Sequence, residues 1–146
     1  MLLDEKQAML NDLLVAYRES SDHYADAGGQ LEDDALGETF AGIAASREAL
    51  IERLCELVRE AGGLPREPHA DREHARQLLT RLKGVLGGDR RRVVLEERIA
   101  DEKRIATLIG EALELDFPSE ERDWLRSLQT HQREVLVRLA GALEEG

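Results

Sequence analysis

Apolar residues recur at three- and four-residue steps over most of the chain, which is the spacing of one face of an α-helix. The first such stretch covers about residues 3–27 and stops at Gly28 and Gly29. A second begins near Asp34, its expected N-cap, and stops at the "AGGLP" of residues 61–65. Stretches of about 24 residues predict helices roughly 36 Å long at 1.5 Å per residue.

Two further amphipathic stretches bring the number of predicted long helices to four. The third begins after Gly87 and Gly88, with Asp89 as the predicted N-cap. The fourth follows a Pro-containing turn, with Ser119 as the predicted N-cap and acids at 120–121, where the helix dipole favours negative charge. The composition, rich in Ala, Leu, Glu and Arg with only 3% aromatic residues, also favours helices over strands, so the sequence predicts an all-α protein.

The links between these helices differ in length. Those after the first and third helices are short, whereas residues 61–88 separate the second helix from the third. In this long link, Asp71 is placed to cap a short helix with Leu78, Leu79 and Leu82 on one side. One long crossover between the second and third helices is the connectivity of ferritin-like four-helix bundles. We therefore predict a ferritin-like four-helix bundle with a crossover containing a short helix, formed by residues 1–146 as one domain.

Composition excludes several classes of function. The net charge of −11 would repel the phosphates of a nucleic acid, so no nucleic-acid partner is expected. Cys55 is the single cysteine, which leaves no disulfide framework and no thiolate metal site. Charged residues at positions 4–6 interrupt the apolar start of the chain, so we predict neither a signal peptide nor a membrane span. A cytoplasmic protein is expected.

Polar residues interrupt the apolar face of all four predicted helices at a similar height. In "LEERIADEK" (95–103), the helical phase places Arg98 and Asp101 in line with the apolar Ile105, with Glu97 and Glu102 beside them. The same reasoning on the other helices predicts an internal polar layer. Its predicted members are Ser21, Arg47, Arg98, Asp101, His131 and Gln132.

Two interpretations of this layer compete. In the first it is a metal site, because ferritin-like bundles bind two ions through a Glu on two helices and Glu-x-x-His on the other two. The candidate ligands are Glu97, Asp101, Glu102 and His131, but Leu128 stands where the Glu before His131 would be.

In the second interpretation the layer is a salt-bridge and hydrogen-bond network that fixes the register of the helices. Arg47 and Arg98 would repel a cation, and buried charges must be paired with one another. We favour this interpretation. The remaining histidines, His23, His69 and His74, are expected in loops or at the surface, with a zinc-binding His69/His74 pair as a weaker alternative.

Several residues also carry a family resemblance that covers nearly the whole chain. They are Phe40, Ala44, Arg47, Leu50, Leu54 and Val58, then "GGLP", "LEERIADEK" and "GEAL". The sequence resembles a bacterial ferritin-like four-helix-bundle family of unknown function that is related to rubrerythrins. The resemblance implies that Glu97 and Glu102 match acids of the family's third helix and that Arg47 is the usual residue at its position. Ser21 departs from the acid expected there, which argues against metal chemistry.

These observations favour a non-enzymatic bundle protein that binds no metal and acts through its surface or as a homo-oligomer, most simply a dimer. One alternative is an iron- or manganese-binding oxidoreductase or iron-handling protein that uses the four candidate ligands. Another is a helical adaptor that binds a protein partner through an apolar strip of Leu78, Leu79 and Leu82.

Overall fold

The computed structural model describes residues 2–31, 33–68 and 72–145. These residues form six helices: α1 (Leu2–Gly29), α2 (Asp34–Ser46), α3 (Glu48–Glu60), α4 (Arg72–Leu82), α5 (Gly87–Leu113) and α6 (Ser119–Glu145). No strand occurs in the described ranges, and the predicted all-α class is confirmed. None of these helices is long and apolar enough to cross a bilayer.

The second predicted helix is interrupted at Arg47, where one continuous helix was expected. The Ser46 hydroxyl donates to the Ile43 carbonyl at 2.6 Å, the acceptor that the Arg47 N–H would use in an uninterrupted helix. The Arg47 N–H instead donates to the Ala44 carbonyl at 3.1 Å. A serine that bonds back to the preceding turn bends a helix, and here it separates α2 from α3.

The end of α3 follows the prediction closely. Gly62 adopts a φ of +87°, a left-handed conformation that glycine reaches without steric cost. The Gly62 N–H donates to the Arg59 carbonyl and the Gly63 N–H to the Val58 carbonyl, both at 2.9 Å. This pair of bonds is a Schellman motif, which satisfies carbonyls at the helix end.

The beginnings of the helices differ from the predictions by one to three residues. The N-cap of α2 is Asp33 rather than Asp34, because the Asp33 carboxylate accepts the Leu36 N–H at 3.0 Å. Asp89 lies in the first turn of α5, whose N-cap is Leu86. Ser119 is the first residue of α6 rather than its cap. The predicted cap Asp71 lies outside the described residues.

Two apolar clusters fill the interior, one toward each end of the long helices. The Leu13 cluster joins α1, α3, α5 and α6 and includes Leu10, Leu13, Leu54, Leu57, Ile105, Ile109, Leu125 and Leu128. The Phe40 cluster joins α1, α2, α4, α5 and α6 and includes Tyr24, Leu36, Phe40, Ile43, Leu78, Leu82, Val94, Leu95, Val135 and Leu139. The order of these residues along the chain makes α1 antiparallel to α2 and α3, while α5 runs in the same direction as α2 and α3.

The first part of the link after α3 is fastened to α1 by amide side chains. Gln7 donates to the Ala61 carbonyl at 2.7 Å, and Asn11 donates to the Leu64 carbonyl at 3.1 Å. The Asn11 side-chain oxygen also accepts the Arg66 N–H at 2.9 Å. This part of the link is therefore held by hydrogen bonds that bridge more than 50 residues of sequence.

Helix α4 packs its apolar side onto the long helices. Leu78 and Leu82 are buried in the Phe40 cluster, whereas Leu79 is 48% exposed. The expectation of an exposed strip made of Leu78, Leu79 and Leu82 is therefore wrong, because two of the three residues bind α4 to its own bundle. The structure gives no support to an adaptor surface at this position.

We predict that Leu82→Ala lowers the free energy of unfolding by about 2–4 kcal/mol, because it removes fully buried methyl groups and leaves a cavity. Leu79→Ala on the same helix is the matched control and should cost under about 1 kcal/mol. Urea unfolding of both variants measures the difference. Equal losses would mean that α4 does not pack through Leu82.

Candidate functional site

A buried ion pair between Arg47 and Glu102 lies between the two apolar clusters. Both side chains are 0% exposed. Arg47 Nη1 donates to Glu102 Oε2 at 2.7 Å, and Nη2 donates to Oε1 in a second short bond. The bidentate geometry matches the planar guanidinium to the carboxylate, which is the strongest form of a charged hydrogen bond in proteins.

Every remaining donor of Arg47 also has an acceptor. Nη1 donates to the Ser20 hydroxyl at 3.0 Å, Nη2 to Gln132 Oε1 at 3.1 Å, and Nε to His131 Nε2 at 3.2 Å. A guanidinium has five N–H groups, so all five are used. The rings of Tyr17 and Tyr24 lie 5.1 and 5.6 Å from the guanidinium carbon, close enough for a cation–π attraction.

Glu102 is satisfied to the same degree. Its Oε1 accepts Gln132 Nε2 at 2.8 Å and its Oε2 accepts the Tyr24 hydroxyl at 2.6 Å, in addition to the two bonds from Arg47. Gln132 Oε1 also accepts the Tyr17 hydroxyl at 2.9 Å. We call the set Tyr17, Ser20, Tyr24, Arg47, Glu102, His131 and Gln132 the Arg47 network.

The electrostatics of the Arg47 network keep its ion pair charged. Burial alone would raise the pKa of the Glu102 carboxyl, but the bonds from Arg47, Tyr24 and Gln132 hold that pKa below its usual range. Burial would lower the pKa of Arg47, and Glu102 reverses this effect. Burial raises the pKa of Tyr17 and Tyr24, so both phenols stay protonated and act as donors.

The predicted polar layer and the Arg47 network share three residues, Arg47, His131 and Gln132. Ser21 is absent from the network. Its hydroxyl faces the Tyr17 carbonyl at 3.4 Å, and the neighbouring Ser20 is the serine that reaches Arg47. Both serines lie three or four residues from Tyr17 and Tyr24, but on opposite sides of the line that joins these tyrosines, and Ser20 is on the side that Arg47 occupies.

Arg98 belongs to a second polar group on the other side of Tyr24. Its side chain is 0% exposed, and its Nη2 lies 3.0 Å from Glu97 Oε1 and 3.2 Å from Asp101 Oδ2. The guanidinium carbon is 4.9 Å from the Tyr24 ring. Burial would raise the pKa of Glu97 and Asp101, but contacts with arginine and histidine side chains hold both pKa values below their usual range.

The structure does not bring the four candidate metal ligands together. Glu102 and His131 lie in the Arg47 network, whereas Glu97 and Asp101 pair with Arg98. Helical phase explains the division, because Glu102 is turned by about 100° from Asp101 and by about 140° from Glu97 around the axis of α5. The structure therefore divides these four residues between two separate polar groups.

Two histidines expected in loops or at the surface are instead partly buried beside Glu97. The rings of His23 and His74 stack with centroids 3.6 Å apart, and His74 Nε2 lies 2.6 Å from Glu97 Oε1. His23 lies between α5 and α4, with its Nδ1 3.2 Å from Arg98 Nη2 and its ring stacked on His74. His74 precedes Leu78 by four residues and so shares its buried face, a signal that the sequence contains. His69 lies outside the described residues.

Comparison with known families completes the description of the site. The model of a family described as a domain of unknown function, DUF2383, matches residues 5–115. The chain belongs to this family. The DUF2383 match includes Arg47, Arg98 and Glu102, and it ends before α6, which supplies His131 and Gln132. No match was found among curated proteins or solved structures. The expectation of a family of unknown function is confirmed.

We predict that His131 makes folding stability depend on pH. Burial and the Arg47 charge lower the pKa of His131, and its Nε2 accepts the Arg47 N–H, which requires the neutral ring. The unfolded chain therefore binds more protons below about pH 6.5, and stability falls as pH is lowered. His131→Gln should flatten the slope of unfolding free energy between pH 7 and 5 by up to about 1.4 kcal/mol per unit.

Urea unfolding at a series of pH values measures this slope. Arg133→Gln, which changes an exposed residue of the same helix, is the control and should keep the slope of the unsubstituted protein. The same slope in His131→Gln would show that His131 is protonated equally in the folded and unfolded chains.

Proposed function

We propose that this chain is a non-enzymatic ferritin-like bundle protein in which the Arg47 network occupies the mid-core position that a metal centre takes in metal-binding bundles. The saturation of Glu102 carries this proposal. Its four acceptor positions receive Arg47 twice, Tyr24 and Gln132. A metal ion in the middle of the core would need the Glu102 oxygens as ligands. It would also lie against the Arg47 guanidinium, whose positive charge opposes cation binding.

The direction of the helices supports the ferritin-like assignment. Residues of α2 and of the first half of α5 share the Phe40 cluster, and residues of α3 and of the second half of α5 share the Leu13 cluster. A connection between two helices that run the same way must return along their length. Residues 61–86, with α4 among them, are of the length that a ferritin-like crossover needs.

A protein without chemistry in its core acts through its surface, and we propose a cytoplasmic homodimer as the working unit. A groove of about 660 Å³ on the α1, α2 and α3 side supports a surface role. Its walls are mainly apolar and small, and they include Gly28, Gly37, Ala41, Ala44 and Ala45 beside Tyr24 and Phe40. Small side chains let another helix approach closely, whether from a second copy or from a different protein partner.

Aerobic oxidation of ferrous iron tests the non-enzymatic assignment. We expect the rate with the purified protein to equal the rate in buffer, because the buried Glu102 carboxylate is already occupied by Arg47, Tyr24 and Gln132. Sedimentation velocity on the same sample should give twice the 16.4 kDa mass of one chain.

Oxidation faster than in buffer, and lost in both Glu102→Gln and His131→Gln, would contradict the proposal and favour the iron or manganese alternative. These two variants act on the core alone. Metal bound elsewhere on the molecule would survive both substitutions.

A further inference from the structure

His23, His74 and Glu97 come together from three different helices, α1, α4 and α5. One nitrogen or oxygen atom from each lies within 4.8 Å of the other two. The side chains are 16%, 15% and 14% exposed, so the group is shielded but open to solvent on one side. Two imidazoles and one carboxylate form a common ligand set for zinc and similar divalent ions.

His23 and His74 line a cleft of about 190 Å³. Its walls carry the acids Glu19, Asp22, Asp26 and Glu73. Such a concentration of carboxylates raises the local concentration of cations. The cleft is large enough for an ion with bound water.

Two carboxylates beyond the three ligands support the same assignment. Asp26 Oδ2 lies 3.3 Å from His74 Nδ1, so a carboxylate orients the ring whose Nε2 faces Glu97, as in carboxylate–histidine–metal arrangements. Asp101 Oδ2 is buried and forms an ion pair with Arg98 Nη2 at 3.2 Å. It lies 3.6 Å from His23 Nδ1, on a side chain that is 10% exposed. A carboxylate therefore lies beside each of the two imidazole rings, and carboxylates next to ligating histidines are common in metal sites.

We propose that His23, His74 and Glu97 bind one divalent transition-metal ion of the zinc class, outside the bundle core. Two ligands about 2.1 Å from an ion at a tetrahedral angle are roughly 3.4 Å apart. His74 Nε2 and Glu97 Oε1, now hydrogen-bonded at 2.6 Å, must separate slightly, and His23 must approach. The ion takes the place of the proton shared by His74 and Glu97.

Arg98 Nη2 also lies 3.2 Å from His23 Nδ1, but the charge of Arg98 is offset by two carboxylates. Its Nη2 pairs with Glu97 Oε1 and Asp101 Oδ2, and its Nε donates to Glu97 Oε2 at 3.2 Å. The surrounding acids outnumber the arginines. The bound ion fastens α4 to α1 and α5, an attachment that otherwise depends on Leu78 and Leu82.

Titration of the full-length, tag-free protein with Zn²⁺ and Co²⁺ tests the site. We expect one equivalent to bind, visible Co²⁺ d–d bands of low coordination number, and a rise in the thermal midpoint of roughly 5–10 °C at Zn²⁺ concentrations 100-fold above Kd. His23→Gln and His74→Gln should each weaken binding at least tenfold, since removal of outer-shell partners alone weakens metal sites 10–100-fold.

His131→Gln, a histidine of the Arg47 network, is the matched control and should bind as tightly as the unsubstituted protein. Thermal unfolding without metal identifies any variant that fails to fold, and either ligand variant that folds is sufficient for the test. Histidine NMR signals that shift on Zn²⁺ addition should be those of His23 and His74.

Three results would overturn the proposal. The first is no saturable binding, and the second is equal binding in His23→Gln and His74→Gln. The third is binding that is lost in His69→Gln and kept in His23→Gln, which would assign the ion to the His69/His74 pair.

Discussion

The interior of this bundle depends on pairing one buried guanidinium with one buried carboxylate. Arg47 and Glu102 are both fully removed from solvent. An unpaired charge at this position would destabilise the folded state by several kcal/mol. Arg47 comes from the break between α2 and α3, and Glu102 comes from the middle of α5. A shift of either helix by one residue would separate the pair, so the ion pair sets the register of the helices.

The neighbours of this pair follow from the same constraint. A buried polar network stabilises a fold only if all its members are satisfied. Tyr24 and Gln132 donate the remaining hydrogen bonds to the Glu102 carboxylate. Ser20 and His131 accept hydrogen bonds from the Arg47 guanidinium. Four long segments of the chain thus each contribute to one network at one height. The apolar clusters on either side supply most of the hydrophobic stabilisation, and the network determines how they align.

Helical periodicity was sufficient to predict much of this fold. The long helices, their ends at glycine and the inward position of Arg47 all follow from spacing and from local conformational preference. The burial of Glu102 is harder to predict from the sequence. A residue at the edge of a predicted apolar face is buried or exposed according to where the next helix lies. The choice of Ser20 over Ser21 depends on the same small rotation. The Arg47 break depends on a single serine hydroxyl, which periodicity does not report.

The cluster of His23, His74 and Glu97 could not be found from the four long helices alone. His23 lies at the edge of α5 beside Arg98 and Asp101, and His74 reaches it because α4 docks through Leu78 and Leu82. The sequence does hold a partial signal, since His74, Leu78 and Leu82 share one face of α4 at four-residue spacing. Recognising that face requires knowing where the crossover segment packs, which is a property of the tertiary structure.

A double-mutant cycle on Arg47 and Glu102 tests most directly whether their pairing organises the bundle. The variants are Arg47→Met, Glu102→Met and the combination, compared by urea unfolding. Each single substitution leaves one buried charge alone and should cost about 3–5 kcal/mol. The combined variant should lose at least about 2 kcal/mol less than the sum of the two single losses. Additive losses would contradict the account, because they would show that the two charges contribute to stability independently.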